Sequence, residues 1–259
     1  MEKVGLPNKS LCVHSSLRSF GFVEGGAKTV VSALINQNCT VVVPTFSYDF
    51  DVPPPKHIKL PVQNAYTYTP KEGIGKIYTP ASNEIHSSMG VIPKYILSIS
   101  GRVRGNHPLS SFTAIGSKAE EIIGKQTPDN VYAPLAEVCN DDGLLVLMGV
   151  NLTKATAVHY AEELAGRRMF IRWANDVFGN PIAVKIGGCS HGFNNLSRFV
   201  EPIEKNITVG NSLWRIFPLR SFVDIVAQTI QENPNITHCY NPDCEDCKDA
   251  IQGGPYYLP

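Results

Sequence analysis

Short apolar runs rich in β-branched residues alternate along the chain with segments whose apolar positions recur at helical spacing. The runs predict short buried strands and the spaced segments predict helices. We expect strands at 11–14, 40–44, 144–150, 169–173, 182–186 and 207–209, and helices at 26–36, 92–99, 118–123, 135–139, 156–165, 195–204 and 221–231. This alternation is typical of an α/β layered fold.

Residues 49–70 show neither the helical nor the strand periodicity of apolar residues, and they include three consecutive prolines, Pro53, Pro54 and Pro55. We therefore expect a long surface loop that borders a cleft. The residues Phe178-Gly179-Asn180-Pro181 predict a turn between two strands.

Composition points to an ordinary globular protein. The 259 residues are 43% hydrophobic and 18% charged, which allows a substantial core in one large domain. No N-terminal apolar run resembles a secretory signal, and no apolar stretch approaches the roughly 20 residues of a membrane helix. We therefore expect a cytoplasmic protein without a membrane partner. The odd number of cysteines, seven, favours reduced thiols over a disulfide framework.

The charge balance limits the choice of partners. The chain has 23 basic and 23 acidic residues and no basic stripe, so we expect no nucleic-acid partner. Four arginines offer phosphate-pairing groups, with solvated surface charge as the alternative interpretation: Arg102, Arg104, Arg167 and Arg168.

His159 and Glu162 lie three residues apart in a predicted helix that follows the strand at 144–150. Because positions i and i+3 share a helix face, Glu162 can accept a hydrogen bond from one imidazole nitrogen and leave the other free as a base. For an isolated pair the alternative is a packed histidine beside a solvated glutamate.

The C-terminal segment places three thiols and an imidazole within ten residues: His238, Cys239, Cys244 and Cys247. Thiolate and imidazole ligands at short spacing suit a tetrahedral structural zinc, with Cys239, Cys244 and Cys247 as candidate ligands. Free surface thiols and redox activity are the other two interpretations. The sparser pair of Cys189 and His191 is interpreted as structural.

Three segments, read in order, resemble the aminoglycoside 3-N-acetyltransferase family. Residues 13–46 begin with VHSSLRSFGFVEGG, residues 107–116 read HPLSSFTAIG, and residues 133–162 join APLA through a strand to TAVHYAE. Members of this family transfer an acyl group from coenzyme A to an amine on a sugar. The three segments together sample the chain from residue 10 to about 165.

The resemblance implies catalytic roles for three residues of these segments and cofactor contacts for eight others. His159 would be the general base, Glu162 its orienting and charge-stabilising partner, and Thr156 a donor to the thioester oxygen or a helix cap. Acetyl-CoA or another short acyl-CoA would be the acyl donor. Phe112 is one of the implied cofactor contacts, and a place in the hydrophobic core is its equally good alternative. The implied coenzyme A contacts are His14, Ser15, Ser16, Leu17, Arg18, Ser110, Ser111 and Phe112.

Pattern and resemblance together predict an α/β fold, a three-layer α/β/α sandwich with a mixed central sheet. We expect a single domain over 1–259 with a cysteine-rich C-terminal tail at 238–259. The predicted reaction is direct transfer in a ternary complex to an amino sugar, either an aminoglycoside or a nucleotide-linked sugar. The lack of an acidic excess fits the nucleotide-linked sugar better.

Two departures from the family pattern leave the acyl group and the acceptor open. The chain has Ala133-Pro134 where members commonly carry Ser-Pro, and Ala155-Thr156 where an asparagine often precedes the threonine. A coenzyme A or nucleotide-binding module without catalysis is the alternative from another class, although the His159–Glu162 pair argues against it. A hydrolase is disfavoured because the chain has no Gly-x-Ser-x-Gly nucleophile elbow. Oligomeric state stays open.

Overall fold

The computed structural model describes residues 4–65 and 75–258. Within them the strands are β1 Ser10–Ser15, β2 Thr40–Pro44, β3 Asp51–Val52, β4 Val103–Arg104, β5 Phe112–Ile115, β6 Leu144–Met148, β7 Phe170–Asn175, β8 Pro181–Ile186, β9 Lys205–Val209 and β10 Ser212–Pro218. The α-helices are α1 Gly26–Ile35, α2 Val91–Ser98, α3 Ala119–Ile123, α4 Ala133–Asn140, α5 Ala157–Leu164, α6 Ser197–Val200, α7 Leu219–Glu232 and α8 Glu245–Ile251.

Seven strands form the main sheet in the order β4-β5-β2-β1-β6-β10-β9. Strand β1 pairs in parallel with both β2 and β6, whereas the other pairings are antiparallel. Strands β3, β7 and β8 form a second, antiparallel sheet. The main sheet is therefore mixed, as predicted.

Both faces of the main sheet are covered, which explains the continuous apolar runs of its central strands. In β6, Leu145 and Leu147 pack on the side of α3, α4, α5 and α7, whereas Val146 and Met148 pack on the side of α1 and α2. Side chains alternate between faces along a strand, so one run supplies both cores. Helices on each side of a mixed sheet confirm the predicted three-layer sandwich.

The predicted strands and six of the seven predicted helices are present, with ends within two residues of the prediction. The exception is the helix expected at 195–204, which is divided into a 3₁₀ turn at Phe193–Leu196, the short α6 and a second 3₁₀ turn at Glu201–Ile203. Pro202 contributes to this break because it lacks the N–H that a continuous helix would require there.

The surface loop predicted over 49–70 is partly interior. Phe50 is fully buried, and Asp51–Val52 forms β3 and pairs with β7. A strand of two residues is too short to produce a periodic signal, which explains the error. Residues 66–70 of that segment lie outside the described residues. Among the helices that are described, none combines the length and the apolar character needed to cross a membrane.

Candidate active site

Helix α5 brings His159 and Glu162 together on one face. Nδ1 of His159 lies 2.7 Å from Oε2 of Glu162, and the two side chains are 11% and 7% exposed. The pair forms because Val158 and Ala161 anchor α5 in the core, which leaves the adjacent face of the helix to residues 159 and 162. Within the described chain, Nε2 of His159 has no hydrogen-bond partner.

Arg167 fixes the other carboxylate oxygen of Glu162. Its Nη1 donates to Oε1 of Glu162 at 2.6 Å and to Oγ1 of Thr237 at 2.8 Å, while Nη2 donates to the carbonyl of Pro234 at 2.5 Å. Arg167 and Glu162 are 6% and 5% exposed, so the pair is held away from water. A buried carboxylate between an imidazole and a guanidinium can stabilise a positive charge on the imidazole.

Packing restrains the imidazole plane as well. The ring of Phe193 meets that of His159 edge-on at 4.8 Å, and Tyr132 lies parallel to it at 6.4 Å between ring centroids. A Cβ on Gly187 would stand 2.6 Å from Cγ of His159, so this position excludes any side chain. The segment after β8 therefore closes directly against the imidazole.

His14 connects the end of β1 to the start of α5. Its Nε2 lies 3.4 Å from the backbone N–H of Thr156 and accepts from it. Burial lowers the pKa of His14 to about 3, so the ring is neutral and can accept at physiological pH. Thr156 precedes α5 without a side-chain capping bond, which contradicts its interpretation as a helix cap.

A cavity of about 960 Å³ opens beside these residues. It is lined by five of the eight predicted coenzyme A contacts, His14, Ser15, Ser16, Leu17 and Arg18, together with Thr156 and Lys154. Among the described residues on its wall, Arg18 and Lys154 carry positive charge and none carries negative charge. His159 does not line this cavity.

Ser110, Ser111 and Phe112 occupy the interior instead. Phe112 is fully buried in the core, where its ring meets Phe46 edge-on at 5.6 Å. Oγ of Ser111 accepts from Nε of Arg104 at 2.9 Å, and the carbonyl of Ser110 accepts from Gln126. Phe112 begins β5, and Ser110 and Ser111 lie in the turn and connection before it, so the segment supports the wall behind Phe46.

The phosphate-pairing hypothesis is wrong for three of the four arginines, because their guanidinium groups are engaged inside the protein. Arg102 and Arg104 donate to backbone carbonyls between residues 80 and 84, and Arg167 pairs with Glu162. Arg168 is exposed, but it lines a different cavity with Lys185. Arg18 and Lys154 are instead the basic residues on the wall of the cavity that His14 and Thr156 line.

The three cysteines of the C-terminal tail converge with a fourth that was interpreted only as structural. The Sγ atoms of Cys189, Cys239, Cys244 and Cys247 all lie within 4.8 Å of one another. His238 stays outside this cluster, and its Nδ1 lies 2.7 Å from the carbonyl of Cys239.

Comparison with known proteins identifies a family whose sequence model covers most of β1 and all of β6 and α5. Residues 12–231 match the sequence model of the family described as aminoglycoside 3-N-acetyltransferase. The chain belongs to the aminoglycoside 3-N-acetyltransferase family. Family membership was predicted from three segments and is confirmed over most of the chain.

Individual members of the family are distant from this chain. Aminoglycoside N(3)-acetyltransferase IX of Micromonospora chalcea is 28% identical over 167 residues, which cover 60% of this chain and 56% of that relative. A mutant of aminoglycoside acetyltransferase AAC(3)-IVa in complex with a gentamicin has a TM-score of 0.78 at 24% identity, covering 97% of this chain and 93% of the other. AAC-IIIb in a binary complex with CoASH has a TM-score of 0.73 at 18% identity, covering 89% and 93%. At these identities the structures establish a shared fold.

Proposed function

We propose that this family member transfers an acetyl or other short acyl group from acyl-CoA directly to a primary amine of an amino sugar. The observation that carries the proposal is the buried series His159, Glu162 and Arg167, which leaves Nε2 of His159 free to accept a proton. A non-catalytic binding module would have no use for a base oriented in this way.

The acyl-CoA fits the cavity beside α5. Oγ of Ser15 is buried there without a hydrogen-bond partner in the described chain, so a ligand group would satisfy it. Arg18 and Lys154 would pair with phosphates of the cofactor. The related AAC-IIIb was crystallised with CoASH, which supports the same cofactor here. The bound cofactor supplies a thioester whose acyl group is transferred.

Histidine suits the proton transfer that this reaction needs. An alkyl ammonium group must lose a proton before its nitrogen can attack a carbonyl, and Nε2 of His159 would take that proton. As the new N–C bond forms and the C–S bond breaks, the nitrogen gives up a second proton, which ends on the leaving thiolate, and the imidazolium returns its own proton to solvent. Glu162 would stabilise the imidazolium through its bond to Nδ1, while Thr156, which lines the cavity, would donate to the thioester oxygen.

The acceptor has to approach His159 from outside the cofactor cavity, because His159 does not line that cavity. Two carboxyl groups are available near the dyad: Asp246 interacts electrostatically with His159, and Glu163 follows Glu162 on α5. Burial raises the pKa of both groups, and Arg172 and Lys185 oppose the rise. Additional ammonium groups would compensate such partly buried carboxylates, which favours an aminoglycoside over a nucleotide-linked sugar.

Replacement of His159 tests the base. We expect His159→Ala to lower kcat for thiol release from acetyl-CoA by on the order of 10²- to 10⁴-fold, because general-base catalysis contributes that much. The matched control is His57→Ala, since His57 is exposed in the loop after β3. Folded His159→Ala protein with the turnover of the control would rule out the proposal.

The acceptor class is tested by turnover with gentamicin and with a nucleotide-linked amino sugar at equal concentration. We expect release of free thiol with gentamicin alone, and a KM for gentamicin that rises with salt because carboxylates attract it. Turnover restricted to the nucleotide-linked sugar would overturn this choice of acceptor and leave the role of His159 intact.

A further inference from the structure

Four cysteines from two distant parts of the chain meet beside the candidate active site. We propose that Cys189, Cys239, Cys244 and Cys247 bind one zinc ion as four thiolate ligands. Their Sγ atoms lie within 4.8 Å of one another. Zinc–sulfur bonds of about 2.3 Å in a tetrahedron place the sulfurs about 3.8 Å apart, so small side-chain adjustments would complete the site.

The other three cysteines show that this convergence is specific. Cys12 and Cys139 belong to the apolar core on the α5 side of the sheet, and Cys39 belongs to the core on the α1 side. Each of the three packs as a small apolar residue, which is the ordinary situation of a free cysteine. By contrast, Cys189, Cys239 and Cys244 are only half-buried, yet all three turn towards Cys247.

Local structure near α8 presents the ligands. Cys244 immediately precedes α8 and Cys247 lies in its first turn, so a Cys-x-x-Cys spacing brings two sulfurs to one side. The backbone N–H of Cys239 donates to Sγ of Cys247 at 3.4 Å, as a bond to a metal-bound thiolate would require. Nδ1 of His238 donates to the carbonyl of Cys239, and the imidazole lies outside the sulfur cluster. The fourth ligand is therefore Cys189 rather than His238.

Cys189 gives the site its connection to the dyad. It follows Gly187 and Gly188, and Gly187 closes against the ring of His159. The other three ligands follow Pro234 and Thr237, which bind the guanidinium of Arg167. A zinc ion would therefore join the segment that packs on His159 to the segment that holds Arg167. The role is structural, because all four coordination positions are filled by protein.

Metal analysis tests the site. Wild-type protein purified under reducing conditions without added zinc is expected to contain about one zinc ion per chain. Cys189→Ser and Cys244→Ser are expected to lose it, whereas Cys39→Ser is expected to retain it. Cys39 is the matched control because its Sγ donates to the carbonyl of Leu6 at 3.1 Å, a bond that serine can also make. Metal-free wild-type protein, or full zinc content in Cys189→Ser, would overturn the proposal.

A second measurement covers the case in which the serine variants do not fold. Wild-type protein is exchanged with Co²⁺, whose thiolate charge-transfer absorption grows with the number of sulfur ligands. A charge-transfer absorption as intense as four thiolate ligands produce supports the site. An absorption that corresponds to fewer than four thiolates contradicts it. Intact mass under non-reducing conditions distinguishes paired cysteines, because two disulfides remove four hydrogens. Such a mass loss in freshly purified protein would also contradict zinc binding. Neither readout depends on acyl transfer.

Discussion

Glu162 is fixed from two sides, since each of its carboxylate oxygens accepts from a different side chain. The interaction with His159 follows from helical spacing and was predicted from sequence. The interaction with Arg167 depends on Pro234 and Thr237, which come roughly 70 residues later in the chain. No local pattern carries that information, so the sequence suggested only a phosphate-pairing or surface role for Arg167.

Replacement of Arg167 separates its positioning role from its contribution to stability. Arg167→Ala leaves Glu162 buried with half of its interactions, and we expect a loss of about 3 kcal/mol in the free energy of unfolding. We also expect kcat to fall roughly 10- to 100-fold, because the imidazole is no longer held in one orientation. Urea denaturation and thiol release measure the two effects.

Arg215→Ala is the matched control, because Arg215 also binds a glutamate through two nitrogens, at 2.8 and 2.6 Å from Glu204. That pair joins β10 to the residue before β9, away from His159. The control should lose stability and keep kcat. Equal losses of kcat in the two variants would assign Arg167 a purely structural role.

Asp51 should make stability depend on pH. It is 2% exposed, and neither carboxyl oxygen has a hydrogen-bond partner in the described chain. Burial raises the pKa of Asp51 from 3.8 to about 7, although Arg172 opposes the rise. The folded state therefore retains a proton that the unfolded state loses above pH 4, so this group lowers stability as the pH rises from about 4 to about 7.

Asp51→Asn removes this ionisation while keeping the size of the side chain. Between pH 4 and pH 8, we expect the free energy of unfolding of the variant to rise by roughly 1 to 3 kcal/mol relative to wild type, as measured by urea denaturation. The gain should appear below pH 7 and level off above it. A difference between variant and wild type that stays constant with pH would show that the Asp51 carboxyl titrates normally in the folded protein.

At the scale of elements, β1 and α5 could be predicted because their signals are local. The apolar run of β1 and the spacing in α5 give both elements to within one residue at each end. Strand β10 was missed although Ser212, Trp214 and Ile216 alternate with more exposed residues, and Gly210-Asn211 offers a turn after β9. That alternation and the two-residue connection could have indicated a hairpin.

The contact between β1 and α5, in which His14 accepts from the Thr156 N–H, joins residues far apart in sequence, so no local pattern predicts it. It has a testable consequence for cofactor binding. His14→Ala removes the acceptor for the Thr156 N–H and part of the cavity wall. We expect the Kd of coenzyme A to rise roughly tenfold, equivalent to about one hydrogen bond. Because His14 is neutral, His14→Gln, which retains an acceptor, should recover part of the affinity. Calorimetric titration that shows equal Kd values for both variants and wild type would contradict this role.

At the scale of the molecule, the sequence identified the family and the layers, whereas the three-dimensional grouping of the cysteines depends on the fold. Cys189 precedes Cys239 by 50 residues, and Cys189-Ser190-His191 resembles no metal-binding spacing. Only the approach of the segment after β8 to residues 236–238 brings it to the others. Gly192 allows that approach, because a Cβ there would lie 2.3 Å from the carbonyl of Thr237.

Hydrogen exchange tests whether zinc unites these two segments, a prediction that rests on the proposed site. Asn195 already donates to the carbonyls of Ile236 at 3.0 Å and of His238 at 3.4 Å, so the segments touch without metal, but hydrogen bonds from a single side chain are a weak connection. Removal of zinc by a chelator should therefore raise exchange in residues 187–195 and in residues 234–251 together. The central strands β1 and β2, whose backbone is buried in the main sheet, should keep their protection. Faster exchange confined to residues 239–247 would show that the metal orders only the tail, and the link to His159 would then have to be abandoned.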